Sequence, residues 1–208
     1  MSEQQFNTIE EYIADLRTKI AVNPQCANHH YNLGVAYLSK RMWQEAEQCF
    51  REAVDNSPRM ADAYVQLGGI CLQRGDIDGC ISNNRMAKNS RPQFAVPFAN
   101  LGFCYMQKGE VDKALAMLKK AMNRDPEYVQ AMATLGSAHL MDGNPEESVK
   151  WCRKALDLAP TFGPAWNNLA LAHMEMGDFA QAVECVDKAQ EYGFEVAEPV
   201  LKELEAYR

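Results

Sequence analysis

Residues 95–128 read AVPFANLGFCYMQKGEVDKALAMLKKAMNRDPEY. Phe98, Leu101, Gly102 and Tyr105 fall on one face of a 3.6-residue period, and so do Ala114, Leu118 and Ala121 further on. That spacing predicts two amphipathic helices. Gly109 stands between them, where a left-handed residue closes the first helix, and Pro126 stops the second. The stretch is therefore expected to be a helix hairpin. Gly102 on one helix and the small Ala114 on the other let the pair approach closely, because larger side chains would force them apart.

The same pattern extends in both directions. Leu33, Leu67, Leu101, Leu135 and Leu169 lie 34 residues apart, each followed by a small residue: Gly34, Gly68, Gly102, Gly136 and Ala170. Gly75, Gly109, Gly143 and Gly177 keep that step, as do Pro58, Pro92, Pro126 and Pro160, with Phe194 breaking the proline series. A fixed period of this size without insertions marks a repeat array. Five units are placed at 27–60, 61–94, 95–128, 129–162 and 163–196. Residues 1–26 are expected to form an N-terminal capping half-repeat, since Tyr12, Leu16, Ile20 and Pro24 keep the phase of a second helix. A Thr8-x-x-Glu11 capping box opens that helix. Residues 197–208 are expected to form a capping helix with Val200, Leu201, Leu204 and Tyr207 turned inward.

These residues resemble the tetratricopeptide repeat, whose pattern Trp-x2-Leu-Gly-x2-Tyr, Ala, large residue, Ala, Pro is met in the third unit by Phe98, Leu101, Gly102, Tyr105, Ala114, Leu118, Ala121 and Pro126. The resemblance implies an all-α fold, a right-handed superhelical solenoid of antiparallel helix pairs. It further implies that first helices line a concave wall, that second helices form the back, and that the wall binds proteins or peptides.

Function is then sought on first-helix positions not used for packing. The residue before each leucine gives the column Asn32, Gln66, Asn100, Thr134 and Asn168. An amide offers a donor and an acceptor, so a row of them suits an extended peptide backbone. The column is similar to the asparagine ladder of the O-linked N-acetylglucosamine transferases, with Gln66 and Thr134 departing from it; the alternative is a plain solvated face. Tyr31 and Phe103 are candidate apolar contacts, and Phe98 a weaker one because its column normally packs. Neighbouring columns, such as Val35, Gly69, Phe103, Ser137 and Leu171, carry no cations. This argues against a clamp for a terminal carboxylate, which needs lysine and arginine.

Composition narrows the function classes. The chain has 208 residues, 47% of them hydrophobic, and a formal charge of -7, so nucleic acid and anionic membranes are poor partners. From residue 95 onward 17 acids face 11 bases, which suits either a basic partner or simple solvation. No apolar run is long enough to span a bilayer, and the polar start has no signal-peptide character, so a cytoplasmic location and no membrane insertion are expected. The seven cysteines include no Cys-x-x-Cys and are expected to be reduced.

No phosphate loop, Gly-x-Ser-x-Gly elbow or His-Glu-x-x-His helix occurs, so no enzyme and no catalytic residue are expected. His139 and His173 share one column and Cys104 lies beside it in the preceding unit. Side chains strung over three repeats suit packing better than a metal, and no metal or cofactor is assigned. In the second unit Gly79 lies inside a helix, and Asn84 and Lys88 stand where other units are mostly apolar. That predicts a soft joint over 76–91.

The function expected is a non-catalytic interaction scaffold holding a peptide or partner protein. The alternatives are an assembly chaperone for a metal- or cofactor-bearing client, and a self-assembling protein joined through its terminal helices.

Overall fold

The computed structural model describes Phe6 and residues 8–208; the rest of the expected half-repeat, residues 1–5 and 7, lies outside the described residues. The described residues form twelve α-helices, a closing 3-10 turn and no strand. Helix α1 (Ile9–Val22) stands alone and is followed by five hairpins. These are α2 (Ala27–Ser39) with α3 (Trp43–Asn56), α4 (Ala61–Gln73) with α5 (Ile77–Ser90), and α6 (Ala95–Gln107) with α7 (Val111–Met122). Then come α8 (Val129–Met141) with α9 (Pro145–Leu158), and α10 (Gly163–Glu175) with α11 (Phe179–Glu191). Helix α12 (Glu198–Leu204) and the turn Glu205–Tyr207 close the chain. Two compact units result, Met1–Gln93 holding α1 to α5 and Phe94–Arg208 holding α6 to α12.

Each hairpin turns in the same way. Gly75, Gly109, Gly143 and Gly177 have φ between 70° and 82°, the left-handed conformation that glycine adopts without steric cost. In the third hairpin the Gly109 amide donates to Met106 O and the Glu110 amide to Tyr105 O, both at 2.9 Å. These bonds satisfy the carbonyls left open at the helix end. In the first hairpin the turn residue is Arg41, with φ 58°.

The glycine beside the leucine in the first four hairpins is a notch for a side chain 16 positions later. A Cβ on Gly34 would lie 2.7 Å from Phe50, one on Gly102 2.5 Å from Leu118, and one on Gly136 2.6 Å from the Cys152 sulfur. Phe50, Leu118 and Cys152 are fully buried. First helices are apolar on more than one side because they pack against both neighbours. Thus α8 buries Ala131, Met132, Ala133, Leu135, Gly136, Ala138 and His139, whereas α9 buries only Ser148, Cys152, Ala155 and Leu156.

In the first unit α1 takes the role of a second helix. Thr8 caps it by accepting from the Glu11 amide at 3.2 Å, and Leu16 is buried in the column of Phe50. Arg17 donates to the Tyr37 hydroxyl at 2.7 and 3.1 Å, and Lys40 pairs with Glu10.

The second helix pair corrects the expectation of lost core contacts over 76–91. Asn84 is fully buried in the Gly68 notch and donates through Nδ2 to Cys80 O at 2.9 Å. The amide thus fills the position that Phe50 and Leu118 fill elsewhere, with its polarity satisfied by its own helix. Gly79 also has a use: Asp76 caps α5 by accepting from the Gly79 amide at 2.8 Å, and a Cβ there would collide with that carboxylate.

In the second unit Leu204 is buried as expected, but Tyr207 is half exposed. One face of its ring stacks on Phe179 at 4.1 Å, and Arg208 pairs with Asp187 at 2.6 Å. The chain leaves α12 as a 3-10 turn, so Tyr207 lies flat on α11 instead of pointing between helices.

Candidate functional site

The first helices of the second unit form a shallow groove of about 410 Å³. Helix α6 contributes Phe103 and Met106, α10 contributes Pro164 and Asn168, and α8 provides the floor with Gln130, Thr134, Ser137 and Met141. The floor residues recur at steps of four, three and four, which puts them on one stripe of α8 facing away from the Leu135–Gly136 packing edge. A second hollow of about 430 Å³ shares Ser137 and Met141 and adds Leu171, Met174, Glu175 and Glu203. Methionine is unbranched and polarizable, so Met106, Met141 and Met174 make an adaptable apolar wall. No lysine or arginine lines either hollow among the described residues.

Three of the residues expected to bind, Phe103, Thr134 and Asn168, meet in this groove. Asn100 lies on α6 one turn before Phe103, half buried, and does not line it. Asn32, Gln66 and Tyr31 belong to the first unit, all partly buried. Tyr31 packs its ring on Phe50 at 5.6 Å, so much of its apolar surface serves the core of that unit. Phe98 is buried under the Arg124 guanidinium, 3.8 Å from its ring centre, in keeping with a packing column.

The polar members do not stand equally free. Asn168 donates through Nδ2 to Ala133 O at 2.9 Å, tying α10 to α8 and leaving the amide oxygen and one N–H for other partners. Thr134 spends its hydroxyl proton on Gln130 O at 2.7 Å and offers only acceptor lone pairs.

Burial pushes the Cys152 thiol up to about 12 and the Cys49 and Cys185 thiols to about 11, so all three stay protonated near neutrality. His139 and His173 are buried with Nδ1 making no hydrogen bond, and burial holds His139 below its ordinary value. Among the described residues no three His, Cys, Asp or Glu side chains converge as a metal site, and no helix is long and apolar enough to cross a membrane.

A second groove, of about 760 Å³, lies on the opposite side of α10, between α9 and α11. Leu156, Trp166, Leu169 and Cys185 form its apolar part. Sequence reasoning did not single it out. Its one legible signal was the column Cys49, Asn83, Met117, Trp151, Cys185, in which a small residue follows the largest.

A stack of notched helix hairpins repeating every 34 residues defines a helical repeat array. Family models of the tetratricopeptide repeat match residues 105–161, 30–59 and 163–193, more than half of the chain, and the chain belongs to that family. No curated protein matches the sequence. Among solved structures the chain is similar to YrrB, described as a TPR protein with an unusual peptide-binding site, at 17% identity and a TM-score of 0.66. That match covers 86% of this chain and 92% of that one. It is also similar to the APC/C hetero-tetramer Cut9–Hcn1, with 18% identity and a TM-score of 0.81, covering 90% of this chain and 36% of that one. Pseudomonas aeruginosa PilF follows with 20% identity and a TM-score of 0.73, covering 87% of this chain and 85% of that one. At such identities the likeness concerns the fold, and the fold is that of protein-interaction scaffolds.

Proposed function

We propose that the protein is a non-catalytic cytoplasmic scaffold that holds an extended peptide segment of a partner along α6, α8 and α10. The observation that carries this reading is the meeting of Phe103, Thr134 and Asn168 in one groove beside an apolar, methionine-lined wall. Asn168 would bond the peptide backbone through its free amide oxygen and N–H, and Thr134 would accept a backbone N–H. Phe103 and Met141 would take an apolar side chain, and Glu175 and Glu203 would favour a basic residue toward the α12 end. The peptide-binding site named for YrrB supports the mode and not the ligand. Asn100, on α6 one turn before Phe103, would give a supporting contact within the same unit.

The test is affinity capture from lysate with wild type and with Phe103→Ala/Thr134→Ala/Asn168→Ala, after circular dichroism shows that both are folded. A protein held by wild type and lost by the variant supports the groove. Equal capture by both places binding elsewhere.

A further inference from the structure

The groove between α9 and α11 differs from its counterpart in the first unit, and the difference lies in the columns of Arg17 and Tyr37. Between α1 and α3 the corresponding groove is about 360 Å³, lined by Arg17, Ile20, Leu33 and Cys49. There Arg17 is drawn onto the Tyr37 hydroxyl, which holds its guanidinium beside the floor. In the second unit the same columns carry Arg153 and His173, and Arg153 makes no hydrogen bond or ion pair among the described residues. The third column keeps a small thiol in both grooves, Cys49 there and Cys185 here, whereas between α7 and α9 it carries Trp151. With the shorter His173 ring in the place of Tyr37 and the thiol kept small, the groove measures about 760 Å³ with Trp166 and Leu169 on its floor. Trp166 is held in place by its indole N–H, which donates to Pro160 O at 2.7 Å.

The charges around this floor are also sorted. Lys188 is paired with Glu191 at 2.7 Å and Asp187 with Arg208 at 2.6 Å. Asp157 on α9 and Glu184 on α11 line the groove from opposite walls, and neither has a cation within ion-pair distance among the described residues. The buried Nδ1 of His173 makes no hydrogen bond and has the Asp178 carboxylate 3.5 Å away. Arg153, one turn before Asp157, is the one cation on the rim without such a partner among the described residues.

From this we infer that the outer groove between α9 and α11 is a second docking site, whose occupant is an amphipathic helix of a partner protein with an aliphatic or aromatic ridge flanked by lysines or arginines. Two helices side by side present a trough that a third fills ridge-into-groove. The length of α11 along the groove, Gln181 to Glu191, suits about three helical turns. The ridge lies on Leu156, Trp166, Leu169 and Cys185, and the flanking cations answer Asp157 and Glu184. This site is independent of the peptide groove, since the two lie on different faces of α10.

The test uses the full chain and two fluorescent peptides of about four helical turns. They share an alanine frame and a leucine ridge and differ only in lysine or glutamate beside the ridge. Anisotropy gives affinity, and the Trp166 indole N–H signal in NMR reports occupancy. The lysine peptide is expected to bind and shift that signal, and the glutamate peptide to bind at least about tenfold more weakly. Cys185→Trp, which restores the residue of the preceding repeat, is expected to weaken the lysine peptide by about tenfold or more. Asp157→Lys/Glu184→Lys is expected to reverse the preference between peptides, and it decides the matter if Cys185→Trp does not fold. Phe103→Ala, which alters only the peptide groove, is expected to leave the affinity of the lysine peptide for this second groove unchanged. Failure of the lysine peptide to bind, equal binding of both peptides, or loss on Phe103→Ala with none on Cys185→Trp overturns the inference.

Discussion

The α4–α5 and α6–α7 hairpins carry the same notch and fill it with different chemistry. Gly102 receives Leu118, and Gly68 receives Asn84, both without solvent exposure. The leucine contributes apolar burial. The asparagine contributes little of that, but its Nδ2 finds Cys80 O within its own helix, so its amide is buried without a stranded donor at that nitrogen. What the repeat demands at this column, which also holds Phe50 and Cys152, is a buried side chain with its polarity satisfied, and hydrophobicity is one way to meet that demand. The expectation of a soft joint rested on Gly79 inside the helix and on lost core contacts at Asn84 and Lys88, and at Asn84 the contact is kept.

Exchanging the fillers tests this directly. Leu118→Asn places an amide in a notch shaped for a leucine, and is expected to cost about 2–5 kcal/mol in urea denaturation. Gly102→Ala is expected to cost about 1–3 kcal/mol, since its Cβ would meet Leu118 Cγ at 2.5 Å. Gly69→Ala, whose Cβ meets nothing within 4 Å, serves as the control and should gain up to about 1 kcal/mol. The reverse exchange, Asn84→Leu, keeps the branching but adds bulk in a filled notch, and is expected to cost no more than about 1–3 kcal/mol. A larger loss there would mean that the amide itself is needed.

Smaller effects sharpen the comparison between turns and between columns. Arg41 adopts the left-handed conformation that glycine takes in the next four hairpins, so Arg41→Gly is expected to stabilise the first hairpin by about 0.5–1 kcal/mol. Thermal midpoints at one protein concentration would show it. His139 is held below its ordinary value near 6.5 by burial. Below that value the unfolded chain binds more protons than the folded one, so stability is expected to fall as pH drops through about 6.5 and further. His139→Phe is expected to flatten that slope, read as the thermal midpoint against pH.

Much of the fold was legible because helix periodicity and turn chemistry are local properties of the chain. The step of 34, the glycine at four of the five turns and the Leu–Gly pairs foretell the hairpins, and the left-handed glycines stand where the turns need them. The candidate site was less legible. The column rule names Asn32, Gln66, Asn100, Thr134 and Asn168 as equals, yet Thr134 turns back on its own helix and Asn168 reaches Ala133 on another. A pattern along one helix does not say which donors a neighbouring helix will claim.

By itself the sequence determined the number of hairpins, where each turns, and which small residues let the paired helices approach. Those outcomes follow from interactions within one 34-residue unit, repeated. Only the tertiary structure decided which binding-column residues share a groove and which polar atoms stay free. It also decided that a trough opens between α9 and α11, where His173 stands in for the Tyr37 of the first unit and Cys185 for the Trp151 of the preceding repeat. Those outcomes depend on volumes and hydrogen bonds contributed by helices from different repeats, and no single stretch of chain contains them.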